Sequence, residues 1–159
     1  MTRVAVISDT HLPRGARRLP DACLAHLRAS DAILHAGDVT SVAALEELRS
    51  LGPPVHAVHG NMDEPALREL LPEELVVELA GVRIGMRHIA RSEAALLARF
   101  ADCAAVVFGH SHLPVVERRG EAWLLNPGSP TERRRAPFRS MLLVDVHPGD
   151  VRPELVRLT

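Results

Sequence analysis

The chain has 159 residues with nineteen basic and twenty acidic side chains, giving a formal net charge of −1. This balance excludes the broad basic footprint of a nucleic-acid-binding protein and argues against a polybasic membrane-binding surface. No apolar run approaches the roughly 18 residues of a membrane-spanning helix, and the N-terminal apolar stretch is too short for a signal peptide. We therefore predict one cytoplasmic domain over residues 1–159.

Two features of the composition limit the chemistry further. All nineteen basic residues are arginine, so a phosphate-binding-loop lysine and a Schiff base are excluded. The two cysteines, Cys23 and Cys103, form neither a disulfide framework nor a zinc motif, and we predict that both are buried free thiols. Nine histidines are an unusually large number for this length, and their positions carry most of the functional argument.

The first sixty residues alternate between strand and helix patterns. Continuous apolar runs predict buried strands at residues 3–8, 31–35 and 55–59. Helical spacing of apolar residues predicts helices at 20–29 and 41–50, the second with Thr40 or Ser41 as its N-cap. This β-α-β-α-β order implies a parallel sheet with crossover helices.

The remainder of the chain is richer in hairpins. We predict short helices at 64–71 and 92–101, the latter capped by Ser92, and a buried strand at 104–108. Strand-type alternation around turn residues predicts three hairpins, at 74–80 with 82–87, at 115–118 with 122–125, and at 140–146 with 151–158. The combined pattern indicates an α/β protein with two packed sheets and helices outside.

Polar clusters follow five of the apolar runs. They are Asp9-Thr10-His11, Gly37-Asp38, Gly60-Asn61, His88 and Gly109-His110-Ser111-His112. The carboxyl ends of parallel strands lie at one edge of a sheet, so these loops are expected to converge. Carboxylate, amide and imidazole ligands without sulfur suit Mn, Fe, Zn, Co or Ni. A catalytic metal uses about three protein ligands plus water, so seven side chains indicate two ions that share a carboxylate.

Taken singly, these clusters have simpler interpretations. An Asp after a strand often caps a helix, Gly-Asn is a common turn, and His88 alone is typical of a hydrogen-bonded core histidine. Gly-His-x-His is the most specific element, because imidazoles two residues apart can address neighbouring ions. His35 is interpreted either as a support for the ligands or as a core residue.

The blocks 7–11, 35–38, 58–63, 108–112 and 125–129 resemble those of the calcineurin-like metallophosphoesterases, in particular their small bacterial and archaeal phosphodiesterases. The resemblance covers almost the whole chain and implies a four-layer α/β/β/α sandwich of two mixed sheets flanked by helices. It also implies two divalent cations, with Mn²⁺ favoured and Ni, Co, Fe, Zn or Mg as alternatives. One ion is assigned to Asp9, His11, Asp38 and His112, and the other to Asp38, Asn61, His88 and His110.

The resemblance further implies hydrolysis of a small-molecule phosphoester, more specifically a phosphodiester, by in-line attack of a hydroxide that bridges the two metals. Asp38, Asn61 and His88 are accordingly assigned catalytic roles, and Asn61 also substrate binding. Arg14, Arg17 and Arg18 lie near the expected cleft, and Arg14 is assigned to bind a phosphate oxygen, with a solvent-exposed face as the alternative interpretation. The resemblance also implies that the protein forms small homo-oligomers. The loop Asn126-Pro127-Gly128-Ser129 is interpreted as structural support beside the site.

Two departures from the family pattern bear on activity. The usual His-Gly-His block reads His88-Ile89-Ala90, which keeps the ligand and replaces the later histidine. Met62 follows Asn61 where some larger relatives carry a proton donor, so Asp63 is a candidate general acid only if its pKa is raised. We therefore expect activity to favour good leaving groups. The alternative function is a non-catalytic scaffold, because the family fold includes a membrane-coat subunit of that kind.

Overall fold

The computed structural model describes residues 1–12 and 17–158. Its elements, in chain order, are β1 Thr2–Ile7, α1 Asp21–Ala29, β2 Ala32–His35, α2 Val42–Arg49, β3 Val55–Ala57, α3 Pro65–Leu70, β4 Glu74–Leu79, β5 Val82–Arg87, α4 Glu93–Arg99, β6 Ala105–Val107, β7 Val115–Arg119, β8 Ala122–Asn126, β9 Ser140–His147 and β10 Asp150–Arg157. Every predicted helix and strand is present in this part of the chain, with ends that differ by one or two residues.

The strands form two mixed sheets of five strands each, in the orders β10-β9-β1-β2-β3 and β4-β5-β6-β8-β7. β1, β2 and β3 run parallel, as the alternating pattern predicted. The last hairpin does not join the other hairpins but adds β9 antiparallel to the free side of β1. In the second sheet, β8 lies between two partners. It pairs antiparallel with its hairpin partner β7, which forms the edge of the sheet, and parallel with β6.

The core lies in three layers that follow the alternation of side chains along the strands. Val4 and Val6 of β1 point between the sheets, where they belong to one cluster with Ile84 of β5. Ala5 and Ile7, which alternate with them, point outward and pack in a second cluster with Leu27 of α1. A matching outer layer covers the second sheet, where α4 contributes Leu96 to a cluster with β6 and β8. The four-layer sandwich expected from the resemblance is thus confirmed.

Local signals in the sequence set the helix starts. The Ser41 side chain accepts a hydrogen bond from Ala44 N at 3.1 Å, and Ser92 accepts one from Ala95 N at 3.0 Å. Both serines were predicted N-caps, and each satisfies an amide that the first helical turn leaves open. Cys23 and Cys103 are buried and free, as predicted. Among the described residues, no helix is long and apolar enough to cross a membrane.

Candidate metal centre

Five loops meet at one end of the sandwich, and each follows the carboxyl end of a strand that runs parallel to a neighbour. They carry Asp9 and His11 after β1, Asp38 after β2, Asn61 after β3, His88 after β5, and His110 and His112 after β6. The three parallel strands of one sheet and two from the other therefore deliver their loops to the same place, where ligands bind in open α/β sheets.

The first cluster contains Asp9, His11 and His112, whose ligand atoms all lie within 4.8 Å of one another. All three side chains are buried. Asp9 Oδ2 accepts hydrogen bonds from Ser8 Oγ at 2.6 Å and from His110 N at 3.0 Å, so the carboxylate is fixed in orientation. Burial alone would raise the pKa of Asp9, but the neighbouring imidazoles of His11 and His112 outweigh it and hold that pKa below its usual range. Asp9 is therefore anionic and fixed in orientation, as a metal ligand would be.

Three buried atoms of this cluster have no hydrogen-bond partner among residues 1–12 and 17–158: Asp9 Oδ1, His11 Nε2 and His112 Nε2. A buried polar atom without a partner is costly, and such atoms normally signal a missing ligand. The Nδ1 atom of His112 donates to the carbonyl oxygen of Glu132 at 2.8 Å, which leaves a lone pair on Nε2. Three electron-rich atoms facing one point fit a cation.

The second cluster contains Asp38, His88 and His110, whose ligand atoms also lie within 4.8 Å of one another. Asn61 joins it, because its Oδ1 lies 3.0 Å from His88 Nε2 and 3.1 Å from His110 Nδ1. The Nδ1 atom of His88 donates to the carbonyl oxygen of Ala36 at 2.7 Å, so a neutral ring would turn the Nε2 lone pair toward Asn61 Oδ1 and Asp38 Oδ2. This arrangement needs a positive charge between ring and oxygens.

The electrostatics of His88 show the same demand for positive charge. Burial lowers the pKa of His88, but its hydrogen bond with Asp38 and the neighbouring carboxylates raise it above the usual value. Conversely, burial raises the pKa of Asp38, yet the contact with His88 brings it below the usual value. A proton on His88 supplies the positive charge in one way, and a bound cation would supply it in another.

Asp38 connects the two clusters. Its Oδ2 lies 3.3 Å from His88 Nε2 in the second cluster and 3.4 Å from His11 Nε2 in the first. Its other oxygen, Oδ1, accepts a hydrogen bond from Met62 N at 2.8 Å, which orients the carboxylate. The side chain is thus placed where a carboxylate shared between two ions would have to lie.

The backbone of the site is strained. Residues other than glycine rarely adopt positive φ angles. Five of the seven candidate ligands have them: Asp9 (56°), His11 (48°), Asp38 (59°), His110 (74°) and His112 (63°). Such residues persist only where the surroundings hold them, and they cluster at functional sites. This feature was not foreseen from the sequence, because the enrichment of aspartate and histidine in left-handed backbone is too weak to predict it at single positions.

Two glycines of the polar clusters are required by space. A Cβ atom at Gly60 would meet Asp38 Oδ1, and one at Gly109 would meet Ser8 Oγ and lie 2.8 Å from Asp9 Oδ2. The Gly-Asn and Gly-His pairs in the sequence therefore have a steric reason, since the chain passes directly against the two carboxylates.

The supporting role predicted for the loop 126–129 agrees with its contacts. Asn126 Nδ2 donates to Gly109 O and to Ser111 Oγ, both at 3.2 Å, and so holds the loop that carries His110 and His112. Ser129 Oγ donates to Asp9 O at 2.8 Å. Ser8 thus orients the carboxylate of Asp9, and Ser129 holds its backbone carbonyl. Ser8 was not assigned this role from the sequence, where an isolated serine carries no signal.

His35 supports the site and does not offer it a ligand atom. Its Nδ1 accepts a hydrogen bond from Gly37 N at 3.1 Å, so the proton sits on Nε2, which lies 3.0 Å from Thr10 Oγ1. Burial lowers the pKa of His35 to about 4, so the ring is neutral. It therefore connects the loops after β1 and β2, which resolves the two interpretations left open by the sequence.

The carboxyl group of Asp63, the candidate general acid, is bound by the backbone. Burial raises the pKa of Asp63, but its two oxygens accept hydrogen bonds from Thr40 N and Gly60 N, each at 2.6 Å. The carboxyl group is thereby committed to the backbone and is poorly placed to protonate a leaving group. Arg14, which was assigned to substrate binding, lies outside the described residues.

Comparison with known proteins gives consistent matches. The calcineurin-like phosphoesterase superfamily domain matches residues 2–149. A probable metallophosphoesterase of Methanothermobacter thermautotrophicus is 37% identical over 137 residues, which cover 82% of this chain and 78% of that protein. Wild-type Vps29 from Entamoeba histolytica, crystallised with zinc, is 26% identical with a TM-score of 0.76 and 99% coverage of both chains. An archaeal phosphodiesterase shares the fold (TM-score 0.73, 18% identity, covering 97% of this chain and 99% of that one).

Proposed function

We propose that this chain, which belongs to the calcineurin-like phosphoesterase superfamily, hydrolyses a small-molecule phosphodiester in the cytoplasm with two divalent cations. The observation that carries the proposal is the set of unpartnered buried atoms in the first cluster, joined to the second cluster through Asp38 Oδ2. Preference for a diester is supported by the resemblance to small phosphodiesterases.

The proposed ligand sets are those expected from the sequence: Asp9, His11, Asp38 and His112 for one ion, and Asp38, Asn61, His88 and His110 for the other. Bound there, divalent cations would supply an activated water and compensate the charge that develops on the phosphoryl oxygens. The nitrogen and oxygen donors suit Mn²⁺, our first choice, and also Fe, Co, Ni and Zn, whereas Mg²⁺ prefers a mainly oxygen set.

The protein contributes orientation and charge to this chemistry. The carboxylate of Asp38 accepts a hydrogen bond from Met62 N and is proposed to bridge the ions. The hydrogen bond that His88 Nδ1 donates to Ala36 O fixes the imidazole ring with Nε2 toward the site. Asn61 is exposed, so its amide Nδ2 is free to donate to a phosphoryl oxygen of the substrate. Since Asp63 is committed to backbone amides, we propose that solvent protonates the leaving group.

The test is a substrate panel. Bis(p-nitrophenyl) phosphate, p-nitrophenyl phosphate and an alkyl phosphodiester are offered with Mn, Ni, Co, Fe, Zn and Mg. We expect metal-dependent turnover that is fastest on the aryl diester. The variant Asp38→Ala should lower kcat/KM by about 100- to 1,000-fold and reduce the amount of bound metal, because it removes the carboxylate proposed to be shared by the two ions.

The matched control is Asp145→Ala, which removes an aspartate that pairs with Arg3 on the surface of β9 and leaves the site intact. It should retain turnover. Full activity in Asp38→Ala would refute the shared-carboxylate mechanism.

A non-catalytic scaffold is the second candidate, and one observation favours it. Met62, Ile89 and Leu113 are exposed, and each directly follows a candidate ligand, so apolar side chains surround the site. The Vps29 neighbours keep this function open. A metal-loaded protein that is silent on the whole panel, and that binds a protein partner less tightly after Ile89→Ser, would favour the scaffold.

A further inference from the structure

A groove of about 300 Å³ opens beside the second cluster. Asn61 and His88 form part of its wall. A cavity of this size is at the lower end of the range for small-molecule sites, large enough for a sugar phosphate. Because the groove begins at two proposed ligands, a substrate with its reacting phosphoryl group at the metal centre has room to extend into it.

Three arginines line this groove, and two of them are held by the protein. Arg68 Nη2 donates to the carbonyl oxygen of Asn61 at 2.7 Å. Arg87 pairs with the carboxylate of Glu73 at 3.0 Å and donates to Ile89 O at 3.1 Å. These two side chains therefore build the wall and fix the loops on either side of it.

The third arginine, Arg91, is not held. It is exposed, and it forms no hydrogen bond or ion pair with any residue in the ranges 1–12 and 17–158. Arg68 is bonded to carbonyl oxygens, which leave its charge uncompensated, whereas Glu73 is already paired with Arg87. The groove thus carries an excess of positive charge next to the metal centre and favours an anion.

We propose that this groove is a substrate subsite for a second anionic group, and that Arg91 binds a phosphate on the part of the substrate beyond the reacting ester. The substrate class is therefore a phosphoester that carries a second phosphate. A guanidinium group suits this task, since it can donate two parallel hydrogen bonds to phosphate oxygens. The inference rests on the proposed function, because that function places the reacting phosphoryl group beside Asn61 and His88.

Competition with a reporter substrate tests the subsite. Turnover of bis(p-nitrophenyl) phosphate is measured with adenosine 3′,5′-bisphosphate or adenosine 5′-monophosphate as competitor. We expect the wild type to bind the bisphosphate about tenfold more tightly than the monophosphate. Arg91→Gln should reduce this ratio about fivefold, in keeping with the loss of a charged hydrogen bond, and Arg91→Lys should retain part of it.

Arg99→Gln is the matched control. Arg99 carries the same charge in the adjoining groove that Arg91 also lines, but it is paired with Glu74 at 2.9 Å. This variant should keep the wild-type ratio. An unchanged ratio in Arg91→Gln, or an equal loss in Arg99→Gln, would overturn the subsite.

Failure of the proposed function is recognised separately, because the wild type would then hydrolyse no ester in the panel. In that case the two nucleotides are titrated calorimetrically into the wild type and into Arg91→Gln in the presence of Mn²⁺. A bisphosphate preference that depends on Arg91 supports the subsite, whereas equal affinities for the two nucleotides in the wild type overturn it.

Discussion

The sandwich has a hairpin end, where the turns β4–β5, β7–β8 and β9–β10 lie, and a metal end, where the candidate metal centre lies. The two ends place left-handed backbone on different residues. At the hairpin end, glycines occupy three of these positions, Gly81 (φ 76°), Gly120 (φ 62°) and Gly149 (φ 76°), and no atom of the described residues lies within 4 Å of the place where a Cβ would be. Ala80 (φ 50°), beside Gly81, also lies in this region. At the metal end, five of the seven candidate ligands, all aspartates or histidines, occupy such positions beside Gly37 and Gly128. The turns thus rely mainly on the residue that adopts this conformation without strain, whereas the candidate site keeps aspartate and histidine there.

The difference shows where the fold tolerates strain. A hairpin turn needs only to reverse the chain, so any residue that adopts the left-handed backbone with little strain is acceptable there. The loops after β1, β2 and β6 must instead aim candidate ligand atoms at one another. They are held by hydrogen bonds that Ser8, Asn126 and Ser129 donate and by one that His35 accepts from Gly37 N. Substitutions at the two ends should therefore differ in both size and kind of effect.

The largest difference is expected between Gly60→Ala and Gly120→Ala. A methyl group at Gly60 meets Asp38 Oδ1, so we expect about 3 kcal/mol of destabilisation and loss of most metal-dependent turnover. At Gly120 a methyl group meets nothing, and only the left-handed backbone costs about 1–2 kcal/mol, with turnover retained. Urea denaturation and kcat/KM measure the two effects. Equal behaviour of the two variants would break the comparison.

A smaller effect is expected from pH, again at the metal end. The pKa of His35 is about 4 in the folded protein and near 6.5 when unfolded, so below pH 6.5 protons bind preferentially to the unfolded chain. Folding stability should fall between pH 6.5 and 4, and His35 alone should contribute about 1–2 kcal/mol of loss by pH 5.

His35→Gln isolates this contribution. The unfolding free energy of metal-free wild type minus that of the variant is measured at pH 7.5 and at pH 5. This difference should shrink by the stated amount at the lower pH, because the other titrating groups are present in both proteins. A difference that is constant with pH would show that the buried ring does not resist protonation.

The smallest effect tests the strain directly, by giving the site the residue used in the turns. His110 is exposed with φ 74°, so its replacement removes little packing. His110→Gly should be more stable than His110→Ala by about 0.5–1 kcal/mol, since glycine avoids the left-handed penalty but loses more chain entropy. Both variants should bind less metal than the wild type. An alanine variant as stable as the glycine variant would mean that this backbone is unstrained.

The sequence predicted the elements and the convergence of the seven polar side chains because both depend on local patterns. Apolar periodicity located β1 and α1, and the carboxyl ends of parallel strands located Asp9, Asp38 and Asn61 at one edge. The hairpin partners of β8 and β9 were predicted, but their second partners, β6 and β1, were not, since strand pairing across many residues leaves no mark in either strand. The tautomer of His35 and the commitment of Asp63 depend on single backbone atoms that only the folded chain brings near.

The pairing of β9 with β1 has a consequence for how the chain acquires its structure. Thr2 lies opposite Val146, so β1 leaves the ribosome well before β9, the strand that covers its free side. Contacts this distant in sequence slow folding and leave an open strand edge in the meantime. During synthesis the nascent chain therefore exposes an aggregation-prone edge that disappears only when residues 140–157 have emerged, and that edge is where a chaperone would be needed.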